Sequence, residues 1–173
     1  RADGSSRFGE NNKWGFFPSA AVAWRLIDES FMKNQKLFSD MKLRLSYGVT
    51  GNQEIGLYQS LATLSGNNYA FGGTNVIGYA TASAAPNPDL KWETTRQSNV
   101  GLDMGWFDNR ISASIDAYRS VTKDLLLSVD LPAQSGYSTQ LRNVGSVQNT
   151  GLELQLNSVN FAKENFGWRS SLS

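Results

Sequence analysis

The chain has 173 residues, a length that as a prior means one domain, and a formal net charge of +1 from 16 Lys and Arg against 15 Asp and Glu. Nothing in that balance favours nucleic acid or an anionic membrane surface. Cysteine and histidine are both absent, which removes disulfide frameworks, thiolate metal sites, Cys nucleophiles and the commonest general base and metal ligand.

Hydrophobic residues at 40% and charged residues at 18% leave a large share to Gly, Asn, Ser, Thr and Gln, which suit strands, tight turns and wet surfaces. No run approaches the ~18 apolar residues of a membrane helix, so any membrane crossing is expected to be made by strands. The chain opens at Arg1 without an initiator Met and closes in a strand-like run at Ser173. We therefore expect a piece of a longer protein.

In chain order, residues 14–26 read as a first strand, with Ala20, Val22 and Trp24 on one face and Pro18 marking an edge or a strand start. Residues 41–51 alternate most clearly. Met41, Leu43, Leu45, Tyr47 and Val49 share one face, and Lys42, Arg44, Ser46, Gly48 and Thr50 the other. A long connection follows over about residues 52–90, rich in Gly, Asn, Ser and Ala. Residues 91–107 form the next strand, whose even face turns apolar at Val100, Leu102, Met104 and Trp106. Asp108-Asn109 is a tight turn into residues 110–120, with Ile111, Ala113, Ile115 and Ala117 set against Ser112, Ser114, Asp116 and Tyr118. A second long connection covers about residues 121–148. Residues 149–158 carry Leu152, Leu154 and Leu156 on one face, and a sixth strand begins at Trp168.

The connections alternate between short turns and long loops, the habit of bacterial outer-membrane barrels. The aromatic residues follow the same geometry. Trp24, Trp106, Phe107, Phe166 and Trp168 fall at the short-turn ends, and Trp14, Phe16, Tyr47, Trp92 and Tyr118 nearer the long-loop ends. Slipping residues 41–51 by one position would turn Lys42 and Arg44 to lipid at roughly 2–4 kcal/mol each near the bilayer midplane. The Leu43/Leu45 face is therefore expected outward and the Lys42/Arg44 face inward. A soluble β-sandwich alternates too, so periodicity leaves a secreted or surface-anchored glycan-binding sandwich, without transport, as the alternative.

Several blocks, in order, resemble one family. They are Ser5-Ser6-Arg7-Phe8-Gly9 with Asn12 to Ser19, Ala23-Trp24-Arg25 with Glu29-Ser30-Phe31, and Met41 to Asn52. Asn87 to Glu93, Asn99 to Asp103, Tyr118 with Thr122 to Leu126, Asn143-Val144-Gly145 and Asn149 to Glu153 continue the series. The sequence is similar to SusC/RagA-type TonB-dependent outer-membrane receptors. The resemblance implies an all-β fold, with residues 1–173 as a partial barrel domain giving about six of roughly 22 antiparallel transmembrane strands. The plug domain, the TonB box and the rest of the barrel would lie outside it. It further implies import of an oligosaccharide or peptide across the outer membrane of Bacteroidetes. The implied partners are a SusD-like lipoprotein lid, the TonB–ExbB–ExbD complex, reached through N-terminal parts, and outer-membrane lipid.

Chemistry is sparse. Gly48 to Asn52 lacks the Gly-Lys-Ser/Thr ending of a phosphate loop, and Gly48 is read as a place for close backbone approach. Asp28-Glu29, Asp103 with Asp108, and Asp124 with Asp130 read as solvated turn acids rather than a glycosidase pair about 5–9 Å apart. We expect no catalytic residue, no metal site and no cofactor. Arg44, Arg96 and Arg142 are expected to pair with inward-facing acids. The substrate-binding candidates are Asn67, Asn68, Tyr69 and Phe71, with Tyr79 and Tyr137 in the same long loops, because exposed rings and amides can stack on sugars or pair with peptide backbone.

Overall fold

The computed structural model describes residues 1–81 and 83–173, and for Asn67 and Thr81 the backbone alone. Its strands are β1 (Ala2–Gly4), β2 (Trp14–Phe16), β3 (Ser19–Arg25), β4 (Asp40–Asn52), β5 (Leu64–Phe71), β6 (Thr74–Thr81) and β7 (Ala84–Ala85). They continue with β8 (Glu93–Trp106), β9 (Ile111–Lys123), β10 (Leu126–Asp130), β11 (Thr139–Asn143), β12 (Ser146–Lys163) and β13 (Phe166–Leu172). The only helical pieces among the described residues are three-residue 3₁₀ turns. The long strands β4, β8, β9 and β12 have 13, 14, 13 and 18 residues. A tilted strand needs about 9–11 residues to cross a bilayer.

The chain divides into two units. The first, which we call the sheet unit, holds Pro18–Val49, Arg96–Val121 and Gln148–Ser173. Its strands belong to one sheet in the order β13-β12-β9-β8-β4-β3. The apolar alternation sets the register: Ala20, Val22 and Trp24 of β3 lie opposite Tyr47, Leu45 and Leu43 of β4. Every one of those six side chains therefore falls on the same face. Val22, Leu45, Val100, Leu152 and Leu154 all remain exposed. Ala113 is the unit's one buried apolar residue among those described. A single sheet with an uncovered apolar face and no core of its own meets the requirement for a wall facing lipid.

The turn from β8 to β9 is wider than Asp108-Asn109. Phe107, Asp108 and Asn109 all have positive φ, at 55°, 55° and 59°, and the Arg110 amide closes the turn on the Phe107 carbonyl at 3.1 Å. Asp and Asn tolerate that region, but Phe rarely does, so the sequence pattern hides the third turn residue. The first strand read from sequence is likewise two strands, β2 and β3, because Phe17-Pro18 interrupts the ladder.

The second unit, the loop unit, holds Arg1–Phe17, Thr50–Thr95 and Thr122–Val147. Its core is made of Phe8, Phe17, Ile55, Ala85, Leu90 and Trp92, all buried. The Trp92 ring meets Phe8 and Phe17, each with centroids 5.2 Å apart, and its indole N–H donates to the Lys13 carbonyl at 3.1 Å. Trp92 is thus a core residue, not a ring of an interfacial belt. Phe17 lies so close to Gly51 that a Cβ there would overlap the edge of its ring at Cζ.

Both long connections carry strands of their own. β5 and β6 pair as an antiparallel hairpin, while β10, β11 and β7 form a three-stranded sheet. Asn143 fastens that sheet. It accepts from the Lys91 amide at 2.9 Å and donates to the Lys91 and Asp124 carbonyls at 2.8 and 2.9 Å, while Lys91 Nζ pairs with Asp124 at 3.0 Å.

Candidate functional site

Two polar features and one aromatic hairpin compete as the site. The first feature lies on the inward face of the sheet unit, where β4, β8 and β9 each contribute charges. Arg44 donates from Nε and Nη2 to the two oxygens of Asp103 at 2.9 and 3.0 Å, and from Nη2 to Asp116 at 2.8 Å. Ser114 Oγ lies 3.1 and 3.0 Å from the two carboxylates, between which its single hydrogen is shared, and Lys42 Nζ pairs with Asp103 at 3.0 Å. The expected pairing with inward acids is therefore present for Arg44, whereas Arg142 donates to Gln140 instead and Arg96 makes no ion pair among the described residues.

Asp103 departs from its reading as a solvated turn acid beside Asp108. It is a strand residue whose parity puts it opposite Arg44 rather than at the turn. Two carboxylates bonded to one guanidinium are held as acceptors and make a poor acid/base pair. The glycine that admits this cluster is Gly101: a Cβ there would lie 2.5 Å from Asp116 Oδ1 and 2.6 Å from Arg44 Nη2. Gly48, by contrast, has only ordinary contact, with Ser19 at 3.7 Å. Tyr118 also faces inward, its ring filling the space beside Gly151, so it leaves the interfacial belt as Trp92 does.

The second feature is a cleft of about 610 Å³ in the loop unit, lined by residues that include Asn87, Lys91, Gln140, Arg142 and Asn143. Its polar groups are mostly engaged: Asn87 donates to the Leu141 carbonyl at 2.8 Å, Gln140 to the Pro86 carbonyl at 2.7 Å, and Arg142 to Gln140. A cleft whose amides are spent on its own loops, leaving only the Nη groups of Arg142 free among the described residues, holds the loops together more readily than it holds a ligand.

The hairpin is different. β5 and β6 turn at Gly72-Gly73, with φ of 59° and 81°, the left-handed pair that a two-residue hairpin turn requires. Register puts Tyr69 opposite Val76 and Phe71 opposite Thr74 on one face, with Asn67 opposite Gly78 in the same row. Asn68 lies opposite Ile77, and Tyr79 opposite Gly66, on the other face. The candidates are thus divided, with Asn67, Tyr69 and Phe71 in one row and Asn68 and Tyr79 in the other. The Asn67 side chain lies outside the described residues. Tyr69, Phe71 and Tyr79 are 65%, 71% and 72% exposed, far beyond what a folded hairpin leaves to rings that pack. Tyr137 lies apart, half-buried in the connection between β10 and β11, where its amide donates to Ser135 Oγ at 3.2 Å. The signal for the hairpin was present in the sequence as Gly-Gly between two runs of eight, but the polar residues masked the alternation. Among the described residues no cluster of three or more acidic side chains could hold a metal ion.

A family model described as the β-barrel of TonB dependent receptor-like proteins matches residues 1–173. The chain belongs to that family. It is 43% identical to TonB-dependent receptor P26 of Formosa agariphila over 99% of its own length and 17% of the relative's. It is 41% identical to TonB-dependent receptor SusC of Bacteroides thetaiotaomicron over 97% of its own length and 17% of that protein's. The structure of the RagAB peptide importer in its closed-closed state superposes with a TM-score of 0.86 at 39% identity, covering 98% of this chain and 18% of that one. The chain thus spans about a sixth of the length of the relatives it matches. These likenesses identify a SusC/RagA-type receptor segment and make the six-stranded sheet part of an all-β transmembrane barrel. They overturn the β-sandwich alternative, since a sandwich does not superpose on a barrel wall over 98% of its length.

Proposed function

We propose that this segment supplies wall strands and external loops to an importer of the bacterial outer membrane. The importer draws an oligosaccharide or a peptide inward at the expense of the TonB–ExbB–ExbD machine. The observation that carries the reading is the two-faced sheet. Its outward residues are exposed and apolar, its inward face is a bonded array of charges, and the fold it matches belongs to a peptide importer. An apolar exterior and a polar interior are what a nutrient-conducting barrel needs.

In this reading a SusD-like lipoprotein covers the long-loop end and capture takes place there. Plug rearrangement, driven from the inner membrane, then opens the lumen. No bond in the cargo is made or broken, so the segment's residues bind and guide. The β5–β6 hairpin does the binding: Tyr69 and Phe71 take cargo by stacking, while Asn68 and Tyr79 face the lid. Tyr137, half-buried in the connection between β10 and β11, contributes a ring apart from the hairpin. The long-loop location supports this, because loops on a rigid wall commonly carry recognition.

The test uses the full-length receptor in a strain lacking the native gene. Uptake of labelled oligosaccharides and labelled peptides is measured for wild type, Tyr69→Ala with Phe71→Ala, and Tyr79→Ala. The first variant is expected to lose uptake while the lid still co-purifies, and the second to weaken lid co-purification. Wild-type uptake of neither cargo class would overturn the importer reading. Unchanged uptake and lid association in both variants would leave the importer standing and remove the hairpin from recognition.

A further inference from the structure

The outward face of the sheet unit changes character at its short-turn end. Along β12 the outward residues are Leu152, Leu154 and Leu156, the last opposite Leu172 of β13. The next outward pair is Ser158 and Ser170. β12 then bulges between Val159 and Phe161, and the inserted residue, Asn160, brings its amide to the same face. Ser158 Oγ donates to Asn160 Oδ1 at 2.6 Å, and Asn160 Nδ2 donates to Ser170 Oγ at 2.7 Å. Beyond this polar notch the face turns aromatic, with Phe161 stacked on Trp168 at 6.1 Å and Phe166 at 6.3 Å from Phe161. Arg110 comes in from the β8–β9 turn and donates from Nη2 to the Asn160 carbonyl at 3.1 Å and the Val159 carbonyl at 3.4 Å.

These groups enclose a cleft of about 720 Å³ that is also lined by Phe107 and Ile111, within the range of roughly 300–1,000 Å³ for small-molecule sites. Its unspent capacity is mostly donors. The Ser170 hydroxyl hydrogen, one Asn160 amide hydrogen, and Nε and Nη1 of Arg110 have no partner among the described residues. No Asp or Glu is among the lining residues. A cleft with a guanidinium and several free donors, no carboxylate and an apolar rim complements an anion carrying a hydrocarbon tail. Short turns are the periplasmic ends of such barrels, so the leaflet at this depth is the inner one.

We propose that this cleft binds one glycerophospholipid of the inner leaflet of the outer membrane. Its phosphate accepts from Arg110, Asn160 and Ser170, and an acyl chain lies along Ile111, Phe161 and Trp168. The site rests on the lipid-facing assignment of the sheet and would tie an annular lipid to the hairpin that ends β12.

The test uses the full-length receptor, purified from the outer membrane, stripped of lipid in detergent and titrated with phosphatidylglycerol by native mass spectrometry. Asn160→Ala with Ser170→Ala, and separately Arg110→Gln, are each expected to weaken the tightest lipid-binding step by about tenfold, the size of one lost charge-assisted hydrogen bond. Asn157→Ala with Ser171→Ala, a bonded pair of the opposite face, is expected to leave it unchanged. If the double variant fails to fold, Arg110→Gln carries the same expectation alone. Equal binding by wild type and cleft variants overturns the site. Displacement of the lipid by inorganic phosphate also overturns it, since the cleft would then be a plain anion site. Heat-modifiable migration is read on the same preparations, and its absence in wild type would fault the barrel reading rather than the cleft.

Discussion

Arg44 holds the inward face together because it spans two strands that cannot bond each other's charges directly. Its guanidinium serves Asp103 on β8 and Asp116 on β9 at once, with Ser114 bridging the two acids. The side chains are partly solvated, at 35%, 28% and 20% exposure, which moderates the energies. Arg44→Met is expected to destabilise the full-length barrel by about 1–3 kcal/mol, since it leaves two carboxylates facing each other with only Lys42 beside them. Thermal unfolding in detergent measures this. The informative comparison is the double-mutant cycle: Asp103→Asn should cost less in the Arg44→Met background than in wild type. Additive effects would show that the cluster is not coupled. Gly51 makes a second prediction at this scale. Phe17 occupies the space of its Cβ, so Gly51→Val should lower the unfolding midpoint of the receptor by the equivalent of about 1–3 kcal/mol of overpacking. Phe17→Leu should recover part of it.

At the level of the strand, β4 is the clearest case of sequence dictating orientation. Leu43 and Leu45 lie opposite Trp24 and Val22, and Arg44 points to the acids on the other face. Leu45→Arg in the full-length protein should block outer-membrane assembly, at roughly 2–4 kcal/mol near the midplane, whereas Ser46→Arg should be tolerated. Outer-membrane fractionation and heat-modifiable migration score both variants, and equal tolerance would mean that the face assignment is wrong. The β5–β6 hairpin marks the opposite case. Its alternation is carried by Asn, Ser, Gly and Thr as much as by rings, so period two was not visible as hydrophobicity, and the run read as loop. Gly72-Gly73 was the only local signal, and it needed the pairing of the flanking residues to acquire meaning. Trp92 and Tyr118 show the same limit for single residues. Their places near strand ends suit an interfacial belt, but one packs on Phe8 and Phe17 and the other fills the room beside Gly151.

The whole chain exposes 12502 Å², where a self-contained globule of its 19.0 kDa would expose about 8,400 Å². The excess is apolar in large part: Val22, Leu45, Val100, Leu152, Leu154 and Leu172 all face outward with nothing on them. The sheet also ends in two strands, β3 and β13, each with a single neighbour within it. Open edges and a bare apolar face are an aggregation hazard in water. Expressed alone without detergent, residues 1–173 should therefore be insoluble or self-associated, while the full-length receptor extracts from the outer membrane as a folded barrel. Sedimentation of the isolated segment checks this, and a folded, soluble monomer would contradict the wall reading.

The sequence by itself determined the strand faces, the alternation of short turns and long loops, and the family. The faces and the loop alternation depend on the two-residue period and on the cost of a charge in lipid, both of which act locally along the chain, while the family rests on the ordered blocks of motif residues. The tertiary structure alone decided which two acids Arg44 engages, how the candidate rings divide between the two faces of a hairpin, and that Asn160 joins Ser158 and Ser170 in an outward notch. Each of these depends on register between strands distant in sequence, or on one inserted residue in a bulge. Side-chain periodicity carries no information about the partner across the ladder.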